Sequence, residues 1–198
     1  MKDRALEKRL SKELDELERK AQLRSLVELP GMNFCSNDYL ALSDDSRLIA
    51  AVARAVECSG RVGSTGSRLL SGHSVGWDLA EREFAGFVGS EAALFFSSGY
   101  AANVGLLSAV LTPGDAVFSD ALNHASLIDG IRLSRAEKVI YPHADLSMLE
   151  AELAATRVHP AGLRVIVSES TFSMDGDAAP VKELLRLAQR YDAELILD

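Results

Sequence analysis

The chain has 198 residues, 47% of them hydrophobic and 25% charged, and its formal net charge is −8. This composition is typical of a globular protein with enough apolar side chains for a sizeable core, and it excludes an intrinsically disordered chain. The negative charge argues against nucleic acid and against an anionic membrane as partners, although it leaves room for a local basic pocket.

The cysteines and the hydropathy pattern indicate a cytoplasmic protein. Cys35 and Cys58 are the only cysteines, and because their spacing does not match a zinc site we expect no metal of this kind. Two isolated cysteines are typical of a reducing compartment. The sequence has no run of about 18 apolar residues and its first residues are highly charged, so we expect neither a transmembrane helix nor a secretory signal.

Residues 1–26 are predicted to form an amphipathic helix, which Pro30 and Gly31 terminate. Four leucines recur at helical spacing between charged residues: Leu6, Leu10, Leu14 and Leu17. A stripe of this kind packs against the body of a protein or against a second subunit. Residues 33–40 are predicted to form a short strand that enters an Asx-rich turn, and residues 47–58 a helix.

Residues 60–76 are rich in glycine and serine. They form neither a P-loop nor a dinucleotide fingerprint, because no Gly-Lys pair follows the glycines and the glycine spacing is wrong. Gly72-His73-Ser74-Val75-Gly76 matches the nucleophile elbow of hydrolases, which requires a central strand before the serine. Residues 67–71 hold only two apolar side chains, which favours a helix cap at Ser74 instead. A serine hydrolase that uses Ser74 stays an alternative.

A helix is predicted after Ser74, over residues 77–88. Its expected buried side chains recur at helical spacing: Trp77, Ala80, Phe84 and Val88.

The stretch from Ala92 to Leu111 organises the rest of the chain. An apolar run predicts a buried strand over residues 93–97, and the almost wholly apolar residues 100–111 predict a buried helix. Between them, Ser97-Ser98-Gly99 is a turn of small residues. A strand, a small-residue turn and a helix N-terminus leave backbone N–H groups free at the positive end of the helix dipole, where phosphate commonly binds. The alternative is a tight connection that binds nothing.

Strands and helices alternate over the remaining residues. The predicted strands are 115–119, 138–141, 163–168 and 194–198, and the predicted helices are 124–135, 147–157 and 180–191. Ser147 and Glu150 could form a capping box for the second of these helices, and Pro180 begins the third. This alternation predicts an α/β fold with βαβ units and a mostly parallel sheet.

Polar residues follow the predicted strands, at the edge of the sheet where such folds bind ligands. They are Ser98, Gly99 and Tyr100; then Asp120, Asn123 and His124; then Glu169, Ser170, Ser173 and Asp175; and finally Asp198. Each has a structural alternative, since a single His or Asp at such a position often caps a helix. Residues 174–177 lack the Asp-x-Asp-Gly order and the distal Glu of a calcium loop, so they are not predicted to bind calcium. Together these residues predict a ligand site.

The chain resembles a known enzyme family. Six motifs carry the resemblance: Asn37-Asp38-Tyr39-Leu40, Gly63-Ser64-Thr65-Gly66-Ser67-Arg68, Ser71-Gly72, Ser98-Gly99-Tyr100-Ala101-Ala102-Asn103, Asn123-His124-Ala125-Ser126 and Phe172-Ser173-Met174-Asp175-Gly176-Asp177. They resemble the α-oxoamine synthases, which are fold-type I enzymes that use pyridoxal 5′-phosphate (PLP), and the resemblance extends from Asn33 to Asp198. It implies a three-layer α/β/α fold with a mostly parallel sheet, truncated within the large domain. We therefore divide the chain into an N-terminal helix and arm, residues 1–45, and an incomplete cofactor-binding domain, residues 46–198.

The resemblance also assigns roles to residues of the predicted ligand site. Backbone N–H groups of Gly99 and Tyr100 would hold the cofactor phosphate, and His124 would stack on the pyridine ring. Ser173 would hydrogen-bond the phenolic oxygen, and Asp198 would pair with the pyridine nitrogen. His124 and Asp198 would thus be the catalytic residues of this part of the chain.

The implied reaction is a decarboxylative condensation of an amino acid with an acyl-CoA. The motifs most resemble the family's branch in biotin biosynthesis, in which L-alanine condenses with a pimeloyl thioester, and acetyl transfer to glycine is the runner-up. Asn37, Arg24 and His124 would lie near the substrate. The family is dimeric, with active sites between subunits, so we expect a homodimer.

The position of the lysines departs from the family pattern. The family's Schiff-base lysine follows the segment that would begin at Asp198, and the lysines of this chain lie elsewhere: Lys2, Lys8, Lys12, Lys20, Lys138 and Lys182. We therefore expect the N-terminal half of such an enzyme, inactive by itself. A non-catalytic fragment that keeps a cofactor or dimer surface is a further alternative.

Overall fold

The computed structural model describes residues 4–28, 31–160 and 162–198. The chain divides into two compact units, of which the first ends at Ser67 and the second comprises Arg68–Asp198. The predicted division between residues 45 and 46 stays a prediction.

The first unit contains two helices, α1 (Ala5–Arg19) and α2 (Ser46–Ser59). Helix α1 is shorter than predicted: Lys20 caps its end and Ala21 has a positive φ of 53°, which a continuing helix does not allow. Residues 1–3 and the predicted terminator Pro30 lie outside the described residues. The four leucines of the α1 stripe are exposed within this unit, as an amphipathic helix with a partner surface would have them.

The strand predicted within residues 33–40 does not form. Side chains close local turns there instead, since Asn33 Oδ1 accepts a hydrogen bond from the Cys35 N–H at 2.9 Å and Ser36 Oγ accepts from the Asp38 N–H at 3.0 Å. The Asx-rich turn was therefore predicted correctly, and these short bonds satisfy backbone donors that a strand would have paired.

The second unit alternates helices and strands. After a π-helical turn at Arg68–Gly72 come α3 (Val75–Val88), α4 (Gly99–Val110), β1 (Ala116–Asp120), α5 (Ala125–Ser134), β2 (Glu137–Tyr141), α6 (Leu146–Ala155), β3 (Arg164–Ser168), α7 (Val181–Arg190) and β4 (Ala193–Leu197). The four strands form one parallel sheet in the order β2-β1-β3-β4. Ala116 pairs with Glu137 on one side and Arg164 on the other, and Arg164 pairs with Ala193. The predicted α/β class with a parallel sheet is confirmed.

Alternate residues of the central strands build two cores, one on each face of the sheet. Phe118 and Ile166 pack with Leu149 and Leu153 of α6 and with α7, whereas Val117 and Val167 pack with α4 and α5. This follows from the two-residue period of a strand, which sends neighbouring side chains to opposite faces. The second unit therefore has three layers, with the sheet between two pairs of helices.

The strand predicted at residues 93–97 does not form, and the segment is not part of the four-stranded sheet. Leu94 and Phe95 are 66% and 55% exposed. The Phe95 N–H donates instead to Glu81 Oε1 at 2.7 Å, and Glu81 also forms a two-pronged ion pair with Arg68. The Arg68 guanidinium, followed by the Phe95 N–H, lowers the pKa of Glu81 to about 2. The Glu81 side chain of α3 thus bonds a backbone N–H that a neighbouring strand would otherwise have paired.

The burial predicted for α3 and α4 is wrong in the same region. Ala85 is the buried residue of α3 and Leu107 that of α4, whereas Phe84 and Val88 are more than half exposed and Trp77 is half-buried. An apolar pattern shows that a face can be buried, but burial requires that the described structure supply the surface that covers it.

Two predicted caps had different outcomes. Ser74 occupies the N-cap position of α3, and the π-helical turn before it replaces the strand that a nucleophile elbow requires. The capping box at Ser147 and Glu150 is wrong, because Asp145 caps α6 by accepting from the N–H groups of Ser147 and Met148. The Asp145 carboxylate, two residues earlier, takes the Ser147 N–H that the Glu150 side chain would have bonded in the box.

Gly130 generates a stability prediction. A Cβ atom at Gly130 would lie 2.9 Å from Asn103 O and 2.9 Å from Leu107 Cβ, both on α4. We expect Gly130→Ala to lower the free energy of unfolding by about 1–3 kcal/mol, because α5 would have to move away from α4. Urea unfolding followed by circular dichroism measures this.

Gly86→Ala is the matched control for Gly130→Ala. Gly86 lies inside α3, and a Cβ atom added there would meet nothing within 4 Å. Alanine there should be neutral or stabilising by about 0.5–1 kcal/mol. Equal stabilities of the two variants would contradict the close approach of α4 and α5.

Candidate functional site

The N-terminus of α4 forms one side of the candidate site. Ser98 is the N-cap, and its Oγ accepts a hydrogen bond from the Ala101 N–H at 3.1 Å. Gly99 and Tyr100 follow as the first helical residues, whose N–H groups have no partner within the helix. A Cβ atom at Gly99 would meet nothing within 4 Å. An anion therefore has open space beside the positive end of this helix.

His124 stands at the start of α5, where it caps the helix. Its Nδ1 lies 3.2 Å from the Ser126 backbone N and 2.7 Å from Ser126 Oγ. The backbone N–H of His124 donates to Glu169 Oε1. The imidazole meets the Tyr100 ring edge-on, with centroids 6.4 Å apart. These contacts join the N-termini of α4 and α5 at the carboxyl edge of the sheet.

Asn103 connects His124 to Asp198. Its Nδ2 lies 2.9 Å from Ser126 Oγ and 2.8 Å from Asp198 Oδ2, and it can donate one hydrogen to each. Ser126 Oγ then donates to His124 Nδ1. Because Nδ1 is an acceptor in this chain of bonds, the neutral ring carries its hydrogen on Nε2.

Asp198 is held at the end of β4 by its backbone as well as by Asn103. Its N–H donates to Ser168 O at 3.0 Å, and its carbonyl accepts from the Ser170 N–H at 2.8 Å and from Ser170 Oγ at 3.0 Å. The carboxylate is exposed, so its second oxygen is accessible to a ligand. This arrangement fits a carboxylate that accepts a hydrogen bond from a bound group.

A cavity of about 230 Å³ lies between the start of α5 and the loop after β3. Its lining residues come from those two segments: Leu122, Asn123, His124, Ala125, Glu169, Phe172, Ser173, Met174 and Asp175. The structure therefore brings His124 and Ser173 to one cavity. Asn123 Oδ1 is buried there without a hydrogen-bond partner, although its Nδ2 donates to Ser119 Oγ and Val167 O.

Glu169 is the buried acid of this cavity, with only 7% of its surface exposed. Burial raises the pKa of Glu169, and the nearby charges of Asp198 and Asp120 raise it further, while the hydrogen bond from the His124 N–H opposes the shift. Burial disfavours the charged form of a carboxyl group. Glu169 thus accepts a hydrogen bond from the His124 backbone, and its ionised form lowers the folding stability because it is buried.

The predicted site residues fall into two sets. Gly99, Tyr100, His124, Ser173 and Asp198 all lie at the carboxyl edge of the sheet in the second unit. Arg24 and Asn37 belong to the first unit, where both are exposed and Asn37 O accepts from the Tyr39 N–H at 3.0 Å. Their role near a substrate stays a prediction.

Asn103 and Ser126 had no predicted role, although both lie in motifs shared with the α-oxoamine synthases. The available sign was polarity: Asn103 is an amide in an almost wholly apolar helix, where a polar side chain needs a partner. His143, whose two carboxylate partners come from distant segments, also had no predicted role.

The described residues contain neither a metal cluster nor a membrane span. Over residues 4–28, 31–160 and 162–198, no group of His, Cys, Asp and Glu side chains could hold a metal ion. In the same part of the chain, no helix has both the length and the hydropathy needed to cross a membrane.

Comparisons with known proteins place the chain among PLP enzymes. Residues 30–198 match the model of the aminotransferase class I and II family. A protein named 8-amino-7-oxononanoate synthase from Herminiimonas arsenicoxydans is 49% identical over 175 residues, which cover 87% of this chain and 44% of the relative. One of the same name from Anaeromyxobacter is 46% identical and covers 96% of this chain and 50% of the relative.

Solved structures give the same grouping. A serine palmitoyltransferase from Sphingomonas wittichii superposes with a TM-score of 0.75 at 35% identity, covering 81% of this chain and 39% of the neighbour. An 8-amino-7-oxononanoate synthase from Francisella tularensis superposes with a TM-score of 0.65 at 32% identity, covering 83% and 44%. A serine palmitoyltransferase from S. paucimobilis, solved with PLP and myriocin bound, gives a TM-score of 0.84 at 28% identity, covering 99% and 54%. The chain thus spans about half the length of the proteins it matches.

The buried acid generates a pH prediction. Because the folded-state pKa of Glu169 is raised, the folded state binds a proton that the unfolded state has released once the pH exceeds the ordinary glutamate value. Stability from this group is thus fully present below that value and is lost as pH rises through the folded-state pKa. Glu169→Gln keeps an oxygen for the His124 N–H and removes the charge, so its stability advantage over the parent should grow from about pH 4.5 upward.

Urea unfolding from pH 4.5 to 7.5 measures this difference. Glu169→Leu, which removes the acceptor as well, is the control and should destabilise the chain at every pH. A Glu169→Gln difference that does not change with pH would show that the carboxyl group is not perturbed.

Proposed function

Since the chain belongs to the aminotransferase class I and II family, we propose that the protein is a PLP-dependent acyltransferase of the α-oxoamine synthase type. The resemblance found in the sequence is confirmed by relatives and neighbours that carry acyltransferase names. Because the chain spans about half of their length, the activity is proposed for the whole protein, and residues 1–198 supply part of its site.

The proposed reaction joins L-alanine to a pimeloyl-type acyl-CoA and releases CoA and CO2, giving 8-amino-7-oxononanoate for biotin biosynthesis. Curated relatives of this name, which are 49% and 50% identical to the chain over the matched residues, support this reaction. Glycine C-acetyltransferase, also named 2-amino-3-ketobutyrate CoA ligase, is the runner-up because residues 123–133 resemble it equally. The serine palmitoyltransferase neighbours share the fold at lower identity.

The observation that carries the proposal is the convergence at the carboxyl edge of the sheet. An open helix N-terminus at Gly99, the oriented imidazole of His124 and the accessible carboxylate of Asp198 meet there, and Ser173 lines a cavity with His124. These residues fit PLP, which has an anionic phosphate, a flat ring, a phenolic oxygen and a ring nitrogen.

Each side chain then has a definite task. The N–H groups of Gly99 and Tyr100 would bind the phosphate, since backbone donors at a helix start attract anions. His124 would cover one face of the ring. Ser126 fixes its imidazole, and Glu169 accepts from its backbone N–H. Ser173 would donate to the phenolic oxygen.

Asp198 would accept a hydrogen bond from the ring nitrogen and keep that nitrogen protonated. Its Oδ2 accepts a hydrogen bond from Asn103 Nδ2 at 2.8 Å, which fixes the orientation of the carboxylate. When bound, PLP supplies an electron sink that stabilises negative charge at the α-carbon of the amino acid. We expect the protein to act as a homodimer, in line with the exposed stripe of α1.

The reaction also requires an amine that holds the cofactor and moves the α-proton. In the second unit, Lys138 lies near the start of β2, opposite the site edge, and Lys182 lies in the first turn of α7 with its side chain exposed. Neither lines the cavity at His124. We therefore propose that residues 1–198 do not catalyse the condensation by themselves.

Borohydride reduction tests that proposal. The 198-residue chain would be mixed with equimolar PLP, reduced and mapped by peptide mass spectrometry. We expect no stoichiometric label on any single lysine, because an amine must approach within about 3 Å of its target. The control is Lys182→Ala, which should behave as the parent. Full labelling of one lysine, or CO2 release from alanine with an acyl-CoA, would overturn the proposal.

The role of Asp198 is testable in the full-length protein. Asp198→Asn should still bind PLP but lose about 10²-fold or more in condensation rate, because a neutral amide cannot stabilise the ring proton as a carboxylate does. Asp192→Asn is the matched control: it lies in the exposed turn before β4 at a positive φ of 51°, which asparagine tolerates. Turnover of L-alanine and of glycine, each with its acyl-CoA, would separate the two reactions. Normal turnover by Asp198→Asn would show that this residue is only structural.

A further inference from the structure

His143 bridges two carboxylates outside the residues assigned to the cofactor. It follows β2 by two residues, and its Nδ1 lies 2.9 Å from Asp120 Oδ1 while its Nε2 lies 2.9 Å from Asp177 Oδ2. The ring packs edge-on against Phe172, with centroids 4.4 Å apart. His143 thus joins the end of β1 to the loop after β3.

The two bonds require a protonated ring. An ionised carboxylate can only accept hydrogen bonds, and an imidazole has two N–H groups only when it is protonated. The hydrogen bond to Asp120 raises the pKa of His143, and the bond to Asp177 adds to it, while partial burial acts against them. In a neutral ring one nitrogen would present its lone pair to a carboxylate.

Asp120 is the fixed end of the bridge. Its side chain is 2% exposed, Oδ1 also accepts from the Leu122 N–H at 2.9 Å, and Oδ2 accepts from the Ala144 N–H at 3.0 Å. Tyr141 is buried below it, and burial raises the pKa of its phenol so that it stays neutral. Among the described residues, Asp120 and Asp177 are the charges that act on His143.

Asp177 is the movable end. Its side chain is 42% exposed, although its other carboxylate oxygen, Oδ1, is buried without a hydrogen-bond partner. The loop around it closes mainly on itself: the Phe172 N–H donates to Asp177 O at 2.9 Å and the Gly176 N–H donates to Phe172 O at 2.7 Å. Ser170 Oγ ties the start of the loop to Asp198 O at the end of β4. The far side of the loop, at Asp177, is joined to the end of β1 through His143.

The loop carries Ser173, which lines the cavity with His124. We propose that protonated His143 is a positioning residue that holds the loop of residues 170–179, and with it Ser173, against the end of β1. Loss of the imidazole proton breaks one of the two carboxylate bonds, and with it the bridge between the end of β1 and the loop. The link to cofactor binding rests on the proposed function, whereas the clamp itself depends only on these contacts.

Hydrogen exchange measured by mass spectrometry on the full-length protein without PLP tests the clamp. At pH 6.5 the amides of residues 170–179 should exchange about 10-fold or more slowly than in His143→Gln, as expected for a lost hydrogen bond to a charged group. In the parent, this protection should fall as pH rises through the titration of His143, followed by NMR of the imidazole; in His143→Gln it should not respond. His73→Gln is the control, because His73 precedes α3 and pairs with Asp78. In this variant the amides of residues 170–179 should exchange as in the parent.

Asp177→Asn supplies a second variant. It removes one carboxylate but keeps an oxygen for Nε2–H, so the pH at which protection falls should move down. Equal loop exchange in the parent and His143→Gln at pH 6.5, or protection in the parent that is indifferent to the titration of His143, would overturn the clamp. Because PLP is absent, failure of cofactor binding leaves this result unchanged. Weaker PLP binding by His143→Gln than by His73→Gln at pH 6.5 would support the link to Ser173, and equal binding would refute it.

Discussion

The candidate site depends on the close approach of α4 to α5. Gly130 has no side chain, so the backbone of Asn103 and the side chain of Leu107 pack directly against α5. This contact places the Asn103 amide where it reaches both Ser126 on α5 and Asp198 at the end of β4. One neutral side chain thereby fixes the direction of a histidine and of a carboxylate that are 74 residues apart in the sequence (198 − 124).

Charge is distributed to suit an anionic ligand in an acidic protein. The chain carries a net charge of −8, and Glu169, Asp120 and Asp198 all lie at the site edge. Positive potential comes instead from the N-terminus of α4, where the N–H groups of Gly99 and Tyr100 have no partner within the helix. The acids are kept apart by their partners: Glu169 accepts from the His124 N–H, Asp120 faces His143, and Asp198 faces Asn103. The proposed phosphate site accordingly relies on backbone N–H groups and not on a cluster of lysines or arginines.

Local sequence patterns predicted the second unit well where the strands and helices that pack together are close in sequence. The alternation of short apolar strands with helices from residue 115 onward gave the parallel sheet, because each βαβ unit supplies its own neighbour. The strand predicted at residues 93–97 was wrong, because no neighbouring strand is supplied by nearby sequence. Their apolar sequence suits a strand, but a strand needs a neighbour for its backbone groups, and the described structure provides Glu81 instead. The same lack of a covering surface leaves Phe84 and Leu94 exposed.

The sequence by itself determined the α/β class, the family and the set of polar residues at the strand ends, because periodicity and motif spacing are local properties. Only the tertiary structure decided which of those residues meet. It joined Asn103 to Ser126 and Asp198, and His143 to Asp120 and Asp177, through crossings of strands and helices that no local pattern records. Hydrogen bonds act over about 3 Å, so the partner of a buried polar group becomes known only when the chain has brought distant segments that close.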